Sequence, residues 1–471
     1  MPVTTEFAQG NVAGAPDVTQ SAGDCFCDEL FITTVNGQEL DIKNFNVQLT
    51  LYEDVFSNVM TGTIIVADAQ GLISKAPLVG GEFLSLQYRT PGFDTSPQNV
   101  IRKTFVIYGI SDRQFDNDRQ QFYTLHFISI EGMQDNVSLL SKAFNGSTDT
   151  LVSKLFFDYL QSPRWYKNGN FTTDTSNLVV SGGPHASSVH MVAPYWSPLK
   201  TINWLAARSL GKQNKAPNFL FFESNKAFYF SSIEDLIEQQ RNSGIIFEQY
   251  FYSQANYRDE TPGYTYRRPN IDRQYQIVFN QRFPTYIDII KSQDSGYLAA
   301  TMYTQDLVLK QYKEWTWDYL SNFNSFKHLE DYTVQGNNIT SSPQSLKPPF
   351  HSLTPKNSTS YRSLRTKQFR MFNDFDDPQY QNWALQRNTL LQEASNIRLE
   401  IDVAGRTDAE VGQLIYYHFP NGTDKPFNTD TPFDPVLSGL YFTTAIRHTF
   451  TPGKHAMRYE IVKDSFKQSV G

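Results

Sequence analysis

Between residues 28 and 131 apolar and polar side chains alternate with a period of two. That pattern restricts this part of the chain to antiparallel sheet with one buried face. Phe45, Val47, Leu49 and Leu51 alternate with Asn46, Gln48 and Thr50. Leu30-Phe31-Ile32 opens a strand that ends at Asn36-Gly37, a two-residue hairpin signal. Further strands are predicted over 62–67, 83–88, 104–111 and 121–130, the last two separated by a polar turn over 112–119. Short strands at this density predict a closed or sandwich-like antiparallel domain. The aromatic load, 36 Phe and 26 Tyr, favours the same class, because flat rings pack well on a half-buried pleated surface.

A chain of 471 residues is too long for one core and predicts two to four domains. The period changes at Gly132. Val137, Leu140 and Phe144, then Leu151, Leu155, Phe156 and Tyr159, recur at helical spacing, with Thr148-Asp149 placed to cap the second helix. A polar loop is predicted over 168–188. Ser197 and Pro198 then open a helix whose apolar face is Leu199, Ile202, Leu205 and Ala206, with Gly211 as its stop. Two strands, 219–223 and 227–231, flank Ser224-Asn225-Lys226. Ser232, Glu234 and Asp235 read as a loop or short helical turn, and 238–273 as irregular polar surface.

Strands return over 275–279, 297–303 and 305–312. Residues 321–365, rich in Ser, Asn, Pro and Lys, form the longest expected loop, and a loop of that length is expected to be mobile or to grip a partner. A helix is predicted over 377–396, with Trp383, Leu390, Leu391 and Ala394 on one side. The end is β again, over 397–403, 414–419, 440–448 and 456–463.

Charged residues are 19% of the chain and the net charge is -7, so no general attraction to nucleic acid or anionic lipid is expected. There is no run of about 18 apolar residues, and stable membrane association is not expected. Residues 1–24 read as a flexible arm and not as a signal peptide. Cys25 and Cys27, one residue apart, are too close for an unstrained bridge and too few for a structural zinc site.

No phosphate-cradling glycine loop, His-Glu-x-x-His pair or Gly-x-Ser-x-Gly elbow is present. His185 and His190 lie in a Ser/Gly-rich stretch, and His418 ends a strand. His448 and His455 flank the turn Thr451-Pro452-Gly453, with no third ligand evident. The carboxylate pairs Glu53-Asp54 and Asp376-Asp377 read as solvated turns, and Trp204, Trp315 and Trp317 as packing residues. No residue is assigned a catalytic, cofactor-binding or metal-binding role, no cofactor is expected, and the chain is expected not to be an enzyme.

Three ordered stretches carry a resemblance. The first is Leu51-Tyr52-Glu53-Asp54-Val55-Phe56-Ser57-Asn58, then Thr61-Gly62-Thr63-Ile64-Ile65-Val66-Ala67-Asp68, and on through Leu78-Val79-Gly80-Gly81-Glu82 to Leu84. The second joins Ser197-Pro198-Leu199 through Ala206 to Phe219-Leu220-Phe221-Phe222-Glu223 and Phe228-Tyr229-Phe230. The third runs from Gly405-Arg406-Thr407-Asp408 and Val411-Gly412 to Ser438-Gly439-Leu440-Tyr441-Phe442-Thr443 and Ile446-Arg447-His448. It ends on Tyr459-Glu460-Ile461-Val462-Lys463-Asp464-Ser465. Together they cover about half the chain, and in order and spacing the sequence resembles the baseplate hub proteins of T-even-like contractile-tailed phages, which are related to the base of secretion-system spike proteins.

The resemblance implies a mainly β fold with α/β insertions and two tail-tube-like antiparallel β-barrel domains. It places the first barrel at 25–132, an α/β connecting domain at 133–275, the second barrel at 276–320 and 397–471, and an insertion at 321–396. It implies a homotrimeric ring that adapts a six-fold tail tube to a three-fold central spike in the virion baseplate. Tail tube, central spike, tape measure and wedge proteins are the partners it implies, with DNA only as cargo passing through the lumen. A receptor-binding or carbohydrate-active tail protein, or another baseplate connector or wedge component, is the alternative reading.

Overall fold

The computed structural model describes residues 21–466 except 76–77, 95, 118–119, 182–187, 213–214, 243–247, 253–270, 287, 308, 336–337, 342–361, 368–379, 421–432 and 435. The period-two region forms β1 (Phe26–Thr33), β2 (Asn46–Asp54), β3 (Thr61–Asp68), β4 (Phe83–Arg89), β5 (Ile101–Asn117) and β6 (Gln120–Ser129). They lie in the order β1-β4-β5-β6-β3-β2, every pair antiparallel, with the short strand Glu39–Asp41 outside β1. Burial alternates residue by residue along β3 and β6. Leu30, Leu49, Leu51, Ile64, Leu84 and Leu125 meet in one core. Each such side chain contributes about 1.5–3 kcal/mol by leaving water.

Two local expectations change. Val47 is 41% exposed, because a register shift between Asn46 and Gln48 turns it away from the face that Leu49 and Leu51 share. Residues 112–117, expected as a turn, continue β5, so the β5–β6 hairpin projects beyond the core. A turn forms at Asn36-Gly37, with Gly37 at φ +79°, but the Thr34 amide donates to the Gln38 carbonyl, so the loop is three residues, 35–37, and not the two expected.

Next come α1 (Ile130–Val137), β7 (Leu140–Ser147), α2 (Thr148–Leu155, prolonged by one wider turn over Phe156–Leu160), β8 (Ser188–Trp196) and α3 (Pro198–Ala206). Leu140 and Phe144 lie on a strand and not on a helix: Phe144 faces Met191 and Leu140 faces Trp196 across β7–β8. Four residues is a multiple of two as well as about one helical turn, so their spacing fits both periods. The cap of α2 is Ser147 and not Thr148-Asp149. At α3 the expected start is observed, with Ser197 Oγ accepting from the Lys200 amide. Within the stretch expected as loop, Leu178–Val180 pairs in parallel with the second strand of a hairpin made of β9 (Phe219–Glu223) and β10 (Phe228–Ser232).

The segment after β10 is a full helix, α4 (Ile233–Asn242). Ser232 Oγ accepts from the Asp235 amide at 3.0 Å and donates to its carboxylate at 2.7 Å, while Leu236 and Ile237 turn into the second core. β11 (Glu248–Tyr252) then crosses the expected irregular region, pairing in parallel with two strands at once.

The second set comprises β11, β12 (Ile277–Tyr286) and four strands from the end of the chain. Between them lie β13 (Ala299–Asp306), β14 (Gln311–Asp318), β15 (Arg362–Lys367) and α5 (Ala384–Asn396). The last four strands are β16 (Ile397–Ala404), β17 (Leu414–His418), β18 (Gly439–Thr451) and β19 (Lys454–Lys463). Pairings run β18-β17-β11-β12-β16-β19 and return from β19 to β18, a circuit without a free end.

β18 belongs to both sets. Its residues Ala445–Phe450 also pair with Asp54–Leu49 of β2, which joins the two sets into one 13-stranded sheet. Its tip inserts Phe450 into the first core, stacked 4.3 Å from Tyr88, and the Cys25 amide donates to the Gly453 carbonyl.

The expected second domain needs adjustment. β13 and β14 form a separate sheet with β15, so of 276–320 only β12 enters the second set, whereas β11 joins it from the expected connecting region. The strand expected at 305–312 is instead the turn between β13 and β14. Within 321–365 lie a hairpin of Tyr332–Gln335 with Asn338–Ser341 and the strand β15, while 342–361 fall outside the described residues. Among the described residues no helix is long and apolar enough to cross a membrane.

Candidate functional site

The side chains that sequence reading set aside fall in four kinds of place. His185 and Asp376-Asp377 lie outside the described residues, as do residues 1–20 of the expected arm. Cys25 is buried at the start of β1 and Cys27 is half-buried beside it, both as free thiols. Burial pushes the Cys27 thiol up to about 11 and Cys25 higher still, so neither presents a ready thiolate at neutral pH. Glu53-Asp54 is no solvated turn: Glu53 is 1% exposed inside β2 and only Asp54 leans outward. The tryptophans pack as expected, with the Trp315 and Trp317 ring N–H groups donating to Thr304 and Thr389.

The third partner of the histidine pair turns out to be Glu53, contributed by the first β set. His448 Nε2 lies 3.3 Å from Glu53 Oε1, and His448 Nδ1 lies 3.1 Å from His455 Nε2. Gly405 makes room for this row, since a Cβ there would meet the His455 ring at 2.1 Å. Burial holds His455 well below the usual histidine range, hence neutral. Because His448 turns one nitrogen to each neighbour, the three groups form a line and do not converge on a common point. The arrangement joins β2 to β18 and is not a chelate.

Further buried polar contacts join the other units. Lys103 on β5 touches Glu223 on β9, and the Glu223 carboxylate also accepts from the Met60 amide and the Ser129 hydroxyl at 2.7 and 2.6 Å. Arg387 on α5 donates to the carbonyls of Pro217 and Phe219 at 2.7 and 2.9 Å. Arg406 pairs with Asp408 and Glu248 and lies over the Phe93 ring. Apart from Arg406–Asp408, two residues apart, these pairings join residues remote along the chain, so no sequence signal marks them.

His418 ends β17, stacked 4.2 Å from Phe251, and burial lowers its pKa to about 4. The unfolded chain takes up that proton near the ordinary value of about 6.5. This contribution to stability is therefore fully present above about pH 6.5 and declines as the pH falls toward 4. Urea unfolding at pH 7.5 and 4.5 is expected to show a loss of about 1–2 kcal/mol from this ring. His418→Phe, which keeps the stack, is expected to flatten the difference; an unchanged pH slope would refute the assignment.

The outer surface carries exposed apolar side chains on projecting elements. Tyr108 and Phe115 stand on the extended β5–β6 hairpin, 55% and 71% exposed. Val192 and Tyr195 stand on β8, and Leu309 and Tyr312 on the β13–β14 turn and β14. Large apolar groups exposed on projecting hairpins and strands are candidates for surfaces that meet other chains. These positions are the exposed apolar candidates for contact with other chains among the described residues.

No family model matches the sequence, and no curated protein matches it. Among solved structures the fold is similar to phage tail proteins and to secretion-system complexes. One is the tail protein from Neisseria meningitidis MC58, at 8% identity, with 93% of this chain and 96% of that chain covered and a TM-score of 0.49. Another is the 43 kDa tail protein of prophage MuSo2 from Shewanella oneidensis, at 7% identity, 93% and 98% coverage and a TM-score of 0.47. The Francisella PdpA-VgrG complex, half-lidded, aligns at 8% identity over 94% of this chain and 59% of that chain, with a TM-score of 0.42. At these identities the likeness is one of fold.

Proposed function

We propose that the chain is a structural baseplate-hub subunit of a contractile phage tail and not an enzyme. The observation that carries the reading is the pair of β sets in one chain, fused through the shared strand β18. Three such chains bring six β sets into a ring. A ring of that composition offers six similar positions to a hexameric tail tube and three identical ones to a trimeric spike, provided the interfaces repeat with a closing rotation.

In this reading each set is a tube-like β domain, and the projecting β5–β6 hairpin meets a neighbour through Tyr108 and Phe115. Tape measure and wedge proteins contact the remaining faces. DNA passes through the lumen, where the mildly acidic charge of the chain avoids trapping phosphate. The resemblance of the three sequence stretches to tail hubs supports the same assignment.

Size-exclusion chromatography with light scattering, followed by negative-stain imaging, tests it. Three-fold rings, alone or with the spike protein, are expected. A stable monomer that neither forms rings nor binds tube or spike would overturn the reading.

A further inference from the structure

His328, Glu393 and Asp464 come from three separate segments: the turn before Leu329–Asp331, the helix α5, and the residue after β19. One donor atom from each lies within 4.8 Å of the others. His328 Nδ1 is 3.2 Å from Asp464 Oδ2 and 3.6 Å from Glu393 Oε1. A tetrahedral ion with bonds of about 2.1 Å sets its donors about 3.4 Å apart, so both spacings are those of a ligand set.

The other ring nitrogen fixes the chemistry. His328 Nε2 lies 2.8 Å from the Phe323 carbonyl, which only accepts, so Nε2 carries the proton. The Nδ1 position faces two carboxylates, 3.2 Å from Asp464 and 3.6 Å from Glu393, so the pair is bridged either by a second ring proton donated to Asp464 or by a metal ion in its place. Metal-binding histidines are oriented in this way, with the second nitrogen donating to a carbonyl.

A second observation points to the same place. Glu393 and Asp464 line a cavity of about 40 Å³ together with Glu234 and Asn218. Glu234 is 4% exposed and Asn218 3%, and both Glu234 oxygens and the Asn218 Oδ1 lack a hydrogen-bond donor. Lys327 also borders the cavity but is exposed. Asp464 accepts from the Leu329 amide and Glu393 from the Tyr319 hydroxyl, but the three donor-less oxygens of Glu234 and Asn218 leave the cavity an excess of acceptors, which a cation would satisfy.

We propose that His328, Glu393 and Asp464, with Glu234 from the facing helix α4, form a structural site for a divalent transition-metal cation. One imidazole and two carboxylates within ligand reach, with the Glu234 carboxylate bordering the same cavity, suit zinc or manganese. The ion would fasten α5 and the 321–331 segment to the end of β19, closing the insertion onto the second β core. Sequence reading assigned no metal ligand here, since the four residues form no motif and converge only through the fold.

The test uses the full chain, stripped with chelator and refilled separately with zinc and manganese. Metal per chain is counted after gel filtration, and affinity is measured by titration calorimetry. One ion per chain is expected for at least one of the two metals, with slower hydrogen exchange in α5 when loaded. Glu234→Gln and Glu393→Gln are each expected to weaken binding at least about tenfold while keeping side-chain shape. Failure of both metals to bind stoichiometrically, leaving water or a proton as the occupant, overturns the proposal. Undiminished binding in both variants does so as well, because the ion would then sit elsewhere. If one variant does not fold by circular dichroism, the other decides the matter.

Discussion

Phe450→Ala is expected to destabilise the chain by about 3–5 kcal/mol, the range for truncating a fully buried phenyl ring. Phe450 is 0% exposed and sits in the first core although β18 belongs equally to the second. Its ring stacks 4.3 Å from Tyr88 and 4.1 Å from His455. The ring is therefore an anchor as well as core material. Its loss is expected to uncouple the two sets, so that one denaturant transition becomes two. Urea unfolding followed by tyrosine fluorescence and by circular dichroism checks this. A single transition shifted by less than about 1 kcal/mol would show that β2–β18 pairing suffices without the anchor.

Lys103→Ala is the second large effect. It strands Glu223 at 1% exposure, still bonded to the Met60 amide and Ser129 but without its cation. An uncompensated buried carboxylate costs about 3–5 kcal/mol, more than the intact pair contributes. The control is Lys103→Met with Glu223→Gln, which removes both charges, keeps both volumes and leaves a carbonyl oxygen for Met60. That double variant is expected to be more stable than Lys103→Met alone, which keeps the volume but leaves the buried Glu223 carboxylate without its cation. Simple additivity in denaturant titrations would refute the coupling between the first set and the β9–β10 hairpin.

How much of this was legible in the sequence varied with the range of the interactions. The first β set was readable because β3 and β6 alternate cleanly and Asn36-Gly37 dictates its own turn. α3 was readable because Ser197 and Pro198 are local start signals. Leu140 and Phe144 misled because their spacing serves helix and strand alike, and only β8 opposite them settles the choice. α4 was missed because its polar face, Glu234 to Arg241, resembles a loop until the buried Leu236 and Ile237 are placed. β11 was missed for a related reason: five residues in a polar region are too few to show a period.

The chain by itself therefore determined a mainly β protein, the positions of most strands and the absence of familiar catalytic motifs, since those depend on side-chain period and local turn chemistry. Only the tertiary structure decided that β18 serves two sets at once, that Glu53 completes the row of His448 and His455, and that His328 meets Glu393 and Asp464 beside the cavity those two line with Glu234. Each of those depends on strand pairing or packing between residues far apart along the chain, and no local pattern encodes which distant partner will arrive.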